Sequence, residues 1–232
     1  MKVIVLAAGY ATRMYPLTLN YPKALLPLNG LKVLDKVLQD LLYKEDINIV
    51  VNNRFKIYFD VWNIAYDCKL INNKTNNVNE SLGVVEDLKL GIENINDDIL
   101  VLAGDTVYDF NLYDFINYAN SIDYSSCMYY VEKNIHNLQK TGVADILNDT
   151  LITLQEKPNI PKTQFAVPPC YLFKKKDLDI IRRDNSKTFG EMLNNLAEQT
   201  VVKCFKMPGN RIDYGTLEQF NYINPEEYLC AL

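Results

Sequence analysis

Lys2-Val3-Ile4-Val5-Leu6-Ala7-Ala8-Gly9-Tyr10-Ala11-Thr12-Arg13 opens the chain as an apolar run followed at once by small residues and a cation. Val3–Leu6 predicts a strand buried on both faces, because apolar side chains follow one another without polar alternation. A small-residue loop at the carboxyl end of such a strand is where open α/β sheets bind ligands. Small side chains let backbone N–H groups close on an anion, and successive N–H groups make a concave anion site. Tight packing alone accounts for Ala7, Ala8 and Gly9, but not for Arg13 and Lys23, the cations that bracket Pro16 and Pro22. A phosphate site accounts for both.

Outward from this loop, apolar runs alternate with segments of helical period. Helices are predicted at Leu34–Tyr43, Phe55–Ala65 and Leu82–Ile95, and strands at Ile47–Val51, Lys69–Ile71 and Ile99–Ala103. Alternating strand and helix units mean an α/β, mainly parallel sheet with helices on both faces. The second half is richer in strands: Ser125–Val131, Val143–Leu147, Leu151–Gln155, Tyr171–Phe173 and Val201–Phe205. Asn148-Asp149 is a hairpin turn between two of them. Phe189–Ala197 and Thr216–Ile223 read as helices, the latter with Thr216 as N-cap and Leu217 to Phe220 inward. Asn72–Asn79 is polar and reads as a flexible loop that could close over a ligand. There is no repeat and no linker, so one domain is expected: roughly residues 1–120 as a nucleotide half and 121–232 as a strand-rich platform.

Composition narrows the function. The 232 residues carry a formal charge of −5 and are 48% hydrophobic, enough for a sizeable core. Sequence-independent nucleic-acid binding needs Lys and Arg in excess, so no nucleic-acid partner is expected. The longest basic run, Lys174-Lys175-Lys176, reads as a solvated turn or helix start. The five cysteines, Cys68, Cys127, Cys170, Cys204 and Cys230, stand singly, which indicates reduced thiols and no zinc site. The apolar stretch after Met1-Lys2 is too short for a signal peptide, and no run approaches the roughly 18 apolar residues of a membrane span. No membrane association and a cytoplasmic location are expected. His136, the one histidine, lies in a polar segment read as surface; one histidine disfavours His-based zinc sites and Ser-His hydrolases.

Neither G-x-x-x-x-G-K-[ST] nor G-x-G-x-x-G follows the first strand, so P-loop ATPases and dinucleotide-binding enzymes are disfavoured. Instead the chain has Leu6-Ala7-Ala8-Gly9-x-Ala11-Thr12-Arg13-x-x-Pro16-Leu17-Thr18, then Pro22-Lys23-Ala24-Leu25-Leu26-Pro27. This resembles the L-A-A-G-x-G-T-R-L-x-P-L-T…P-K-x-L-L-P signature of the sugar-phosphate nucleotidylyltransferase family, which includes small stand-alone cytidylyltransferases. The resemblance continues in order through Gly104-Asp105-Thr106, Gly142-Val143, Gln155-Glu156-Lys157-Pro158 and Ile212-Asp213-Tyr214-Gly215-Thr216.

The resemblance implies the nucleotidyltransferase A fold, a mainly parallel Rossmann-like sheet flanked by helices with an added β-rich acceptor-binding part. The left-handed β-helix of longer relatives is expected to be absent. It also implies a Mg²⁺-dependent enzyme that moves NMP from an NTP to a small phosphorylated acceptor, a sugar 1-phosphate by default, and releases pyrophosphate. Arg13 and Lys23 would be catalytic. Nucleotide binding would fall to Leu6, Ala8, Gly9, Tyr10, Ala11, Thr12, Arg13 and Lys23, with Glu80, Ser81, Gly83, Gly104 and Asp105. Asp105 and Asp213 would hold Mg²⁺. Gly142, Glu156, Lys157, Cys170 and Tyr171 would hold the acceptor. Without the resemblance, Asp105 is an ordinary turn residue, Glu156-Lys157 a solvated hairpin end, and Asp213 a surface residue before Gly215.

The chain departs from the family pattern at three places. Ala11 stands where the family has the second loop glycine, tolerable if its φ stays below zero. Pro168-Pro169-Cys170-Tyr171 replaces a Thr/Ser-Gly-Ile/Leu-Tyr strand at the sugar pocket. Arg211-Ile212-Asp213 lacks the aromatic of W-x-D. The last two touch the acceptor side, so a CTP-dependent cytidylyltransferase for a non-sugar phosphate, such as phosphocholine or phosphoglutamine in surface decoration, is the alternative. An inactive regulatory homologue is the other. The base and the oligomeric state, homo-oligomer included, stay open.

Overall fold

A computed structural model of the chain describes residues 1–213, 215–218 and 220. The first half contains β1 (Lys2–Leu6), β2 (Pro27–Leu28), β3 (Leu31–Lys32), α1 (Val33–Val37), β4 (Asp46–Val51), α2 (Lys56–Asn63), β5 (Lys69–Asn72), α3 (Val84–Ile92), β6 (Ile99–Ala103), β7 (Thr106–Tyr108) and α4 (Tyr113–Asn120). The second half adds β8 (Ser125–Val131), α5 (Ile135–Leu138), β9 (Gly142–Leu147), β10 (Thr150–Glu156), β11 (Phe165–Val167), β12 (Cys170–Phe173), α6 (Leu178–Arg183), α7 (Phe189–Ala197), β13 (Val202–Lys206) and β14 (Arg211–Asp213).

One sheet of ten strands runs through both halves in the order β11-β9-β10-β13-β8-β12-β6-β1-β4-β5. β1 is parallel to both β4 and β6, and β12 enters antiparallel between β6 and β8. The architecture is therefore mixed α/β, with the parallel part where strands and helices alternate in sequence. The period of two along β1 sorts its side chains to opposite faces. Val3 and Val5 pack with α1 and α4 residues such as Leu34 and Phe115, whereas Ile4 packs with Val85 and Leu88 of α3. Full burial of each such side chain contributes about 1.5–3 kcal/mol, so this apolar run is what fixes β1 between the two buried clusters. Gly91 lets α3 approach: a Cβ there would stand 2.7 Å from Ile4 Cγ2.

Several expectations are corrected. The helix expected over 34–43 ends at Val37, and successive turns carry the chain onward. Its apolar period persists, with Leu34, Leu38 and Leu41 fully buried, because turns can present the same face to the core as a helix. Asp40 leaves the helical pattern to accept a hydrogen bond from Leu112 N at 2.9 Å. The loop after Lys69–Asn72 is pinned rather than loose. Asn73 and Thr75 are buried, Asn73 donates to Asp87 at 2.8 Å, and Thr75 O accepts from Asn53 N at 2.9 Å. Lys174 is not solvated: it is buried, and its ammonium pairs with Asp98 at 3.1 Å.

The turn at Asn148-Asp149 is as expected, with φ of 49° and 55°, the left-handed pair a two-residue hairpin requires. Cys68, Cys127, Cys170 and Cys204 are free and buried; burial pushes the Cys68 thiol up to about 11. Cys230 lies outside the described residues, as do residues 221–223 of the expected closing helix. Phe220 N donates to Thr216 O at 3.0 Å, and Phe220 is fully buried. No helix among the described residues is long and apolar enough to cross a membrane.

Candidate active site

The carboxyl ends of β1 and β6 stand side by side, Leu6 opposite Ala103. The loops leaving them enclose a cleft of about 260 Å³ that is lined by Gly9, Ala11, Arg13, Lys23, Asp105 and Gly215, among others. Gly104 makes the close approach possible. A Cβ there would lie 3.0 Å from Ala7 Cβ and 3.3 Å from Leu6 O. Gly104 N donates to Leu6 O and Ala7 N to Val50 O, both at 2.9 Å. From Ala8 to Arg13 the pattern changes. None of these six N–H groups donates to an acceptor among the described residues. Such a run of unused donors is what an anion needs.

Ala11 sits at φ 47°, ψ 44°, in the left-handed region. The condition set for it from sequence, φ below zero, is not met. The methyl is kept at a cost of about 1–2 kcal/mol, and Thr18 Oγ1 holds the strained residue by donating to Ala11 O at 2.8 Å. Ala11→Gly should therefore raise stability by about 0.5–1 kcal/mol, part of the relief being offset by glycine's unfolded-state entropy, or about 1–4 °C in Tm by calorimetry. A lower Tm would show that Ala11 is not strained.

Tyr10 does not face the cleft with its side chain. Its ring is 6% exposed, packs on Phe55, and donates through the hydroxyl to Thr75 Oγ1 at 2.8 Å. It anchors the loop and leaves only its backbone N–H for a ligand. Asn52 braces the loop from behind: fully buried, it donates through Nδ2 to Ala8 O and accepts through Oδ1 from Phe55 N, each at 2.9 Å.

Two cations mark the cleft. Arg13 is exposed and makes no ion pair among the described residues. Lys23, on a single turn spanning Lys23–Leu25, is buried, and its ammonium lies 2.7 Å from Asp105 Oδ2. The carboxylate is 40% exposed, so it opens to the cleft while neutralising the lysine from inside. β14 pairs antiparallel with β7, placing Asp213 opposite Thr106. Two carboxyl-bearing residues far apart in sequence thus reach neighbouring backbone positions. Glu80 accepts from Asn76 N at 2.7 Å and closes its own loop, Ser81 is exposed, and Gly83, at φ 88°, starts α3.

On the acceptor side, Gly142 lies opposite Glu156 in the β9–β10 ladder, and Lys157 N donates to Thr141 O at 3.1 Å. Glu156 reaches the start of α7, where a Cβ on Gly190 would stand 3.0 Å from its Oε2. Tyr171 is buried against Phe189, ring centroids 4.7 Å apart, and burial holds its phenol well above the ordinary value. Cys170 is removed from the acceptor set. It is fully buried opposite Leu102 and packs with Leu100, because the alternation along β12 turns it to the core face.

A second cavity of about 760 Å³ meets the cleft at Arg13 and Gly215 and extends to Thr141, with Tyr130, Lys140, Lys206 and Arg211 in its wall. Sequence reading had none of Tyr130, Lys140 or Lys206; only Arg211, as a departure from the W-x-D pattern, pointed toward it.

Comparison with known proteins decides what this arrangement belongs to. Residues 2–227 match the family model described as "Nucleotidyl transferase". The chain belongs to the nucleotidyl transferase family. The bifunctional protein GlmU of Methanocaldococcus jannaschii is 26% identical over 225 residues, covering 93% of this chain and 51% of that protein. This chain thus spans about half the length of the curated relatives it matches. A UDP-glucose pyrophosphorylase solved with UDP-glucose superposes with a TM-score of 0.81 at 18% identity, covering 99% of this chain and 98% of that one. A UTP-bound UGPase from Acinetobacter baumannii gives 0.80 at 16% identity, covering 96% and 91%. At these identities the likeness establishes the fold.

The carboxylate donor at this cleft suits a hard divalent ion. Among the described residues no group of three or more His, Cys, Asp or Glu forms a closed metal cage. Mg²⁺ keeps several waters and is held by one or two carboxylates plus substrate phosphates. Asp105, half open to the cleft, fits that requirement, and the backbone of Asp213 pairs with Thr106, the next residue along.

Proposed function

We propose that the chain transfers a nucleoside monophosphate from an NTP to a small phosphorylated acceptor, a sugar 1-phosphate by default. A phosphate oxygen of the acceptor attacks the α-phosphorus, the bond to the β-phosphate oxygen breaks in line, and pyrophosphate leaves. The carrying observation is the convergence in one cleft of the Lys23–Asp105 pair, the Arg13 guanidinium and the N–H groups from Ala8 to Arg13, the last two without an ion-pair or hydrogen-bond partner among the described residues. UDP-glucose and UTP in the structural neighbours support the same substrate classes.

The loop N–H groups and Arg13 bind the β- and γ-phosphates; Arg13's planar fork takes two oxygens at once. Lys23 releases Asp105 and stabilises charge at the α-phosphate and the attacking oxygen. Asp105 and Asp213 hold Mg²⁺, which, when bound, neutralises spreading phosphate charge. Glu80, Ser81 and Gly83 border the base, Lys157 takes the acceptor's phosphate, and Glu156 one of its hydroxyl or amine groups. The two halves act as one unit.

Transfer of CMP to a non-sugar phosphate is the second reading, favoured by the rigid Pro168-Pro169 approach to the buried Cys170, where the Pro169 carbonyl accepts from Ala103 N at 3.2 Å. The complete charged set speaks against an inactive regulatory homologue. Pyrophosphate release measured across the four NTPs with glucose 1-phosphate, phosphocholine and phosphoglutamine tests the reading. Turnover with a sugar phosphate is expected; turnover with CTP and a non-sugar alone would select the second reading, and none with any pair would remove both.

A further inference from the structure

The cavity beside the cleft is rich in cations beyond those assigned above to the triphosphate and to the phosphate of an uncharged sugar. Its described wall holds Arg13, Lys140, Lys206 and Arg211 against one carboxylate, Glu132, in a chain of net charge −5. Glu132 offsets one of these charges but forms no ion pair with Lys140 or Lys206 among the described residues: its oxygens accept from Asn134 N at 2.7 Å and Asn137 Nδ2 at 3.0 Å. Lys140 and Lys206 are exposed and make no ion pair among the described residues. Arg211 is held over the Tyr130 ring at 5.2 Å and donates from Nε to its hydroxyl at 3.1 Å, which fixes the guanidinium in the wall.

The cavity also has a place in the reaction geometry. It joins the nucleotide cleft through Arg13 and Gly215, and it reaches Thr141, whose carbonyl holds the backbone of Lys157. On the proposed function, Arg13 and Lys23 serve the triphosphate and Lys157 the acceptor's phosphate. Lys140 and Lys206 are left over.

We infer that these residues select an acceptor bearing a second anionic group, a carboxylate or a further phosphate, besides the phosphate that attacks. This rests on the nucleotidyl transfer reading and narrows its substrate class. Charge-assisted hydrogen bonds to such a group are strong enough to set preference, and a cationic acceptor such as phosphocholine is repelled.

The test compares KM for glucose 1-phosphate, glucuronic acid 1-phosphate, glucose 1,6-bisphosphate and phosphocholine, in the wild type and in a Lys140→Glu, Lys206→Glu double variant, both positions being exposed. The anionic acceptors should show KM about tenfold or more below that of glucose 1-phosphate. That ratio should shrink toward one in the double variant and with added salt. The carboxylate and bisphosphate arms tell which anion is taken. Equal KM values, or a ratio the double variant leaves unmoved, overturn the inference and leave nucleotidyl transfer standing. A double variant that raises KM for the NTP alone also overturns it, by assigning the lysines to the triphosphate. No pyrophosphate from any acceptor with any NTP removes both readings.

Discussion

Lys23→Ala should lower kcat by about 10²–10³, the scale of losing one preorganised donor at a site of developing charge. Lys23 Nζ is buried and fixed at 2.7 Å from Asp105 Oδ2, so a single ammonium is already aimed into the cleft before substrate arrives. KM for the NTP should change little, because the loop N–H groups and Arg13 still hold the phosphates. Folding should survive. Asp105 is 40% exposed, so water replaces the lost ammonium, and the stability cost is about 1 kcal/mol. Asp105→Asn should be comparably severe in turnover. Steady-state pyrophosphate release beside thermal melts separates the two effects. Near-normal rates in both variants, with folding intact, would remove the assignment of this pair.

Asn52→Leu should cost about 2–6 kcal/mol, or a fall of about 4–24 °C in Tm. The side chain has 0% exposure and satisfies two backbone groups, Ala8 O and Phe55 N. Leucine has similar volume but leaves both unpaired away from water, at about 1–3 kcal/mol each. The loss should also reach the site, since Ala8 begins the run of unused N–H groups. A higher KM for the NTP is expected along with the lower Tm. Asn52→Asp separates the two: it keeps an acceptor for Phe55 N but loses the donor to Ala8 O. An unchanged Tm in Asn52→Leu would show that the brace carries no weight.

The parallel half of the sheet could be read directly because its signals are local. Val3–Leu6 and Ile99–Ala103 are apolar without interruption, and burial on both faces is the one environment that rewards such a run. Asn148-Asp149 was legible as a hairpin for the same kind of reason, since few residue pairs accept two successive left-handed conformations. By contrast, β7 and β14 are three residues each and carry no period long enough to notice. Yet their pairing is what sets the backbone of Asp213 opposite Thr106, next to Asp105 in the chain.

Charge and position along the chain pointed to Arg13 and Lys23 for phosphate, and only the family resemblance pointed to Asp105 for metal; the fold gathers all three in one cleft. What a linear string leaves open is which way each side chain turns and what lies across from it. Cys170 and Tyr10 stand inside site motifs but point into the core. Ala11 adopts a backbone angle that its methyl disfavours, and Asn52 looks like any polar loop residue until Ala8 O is found against it. Lys140, Lys206 and Arg211 share one wall only because the turn after α5, the end of β13 and the start of β14 meet there. Burial and cross-strand register arise from contacts between distant segments, and no nearest-neighbour pattern encodes them.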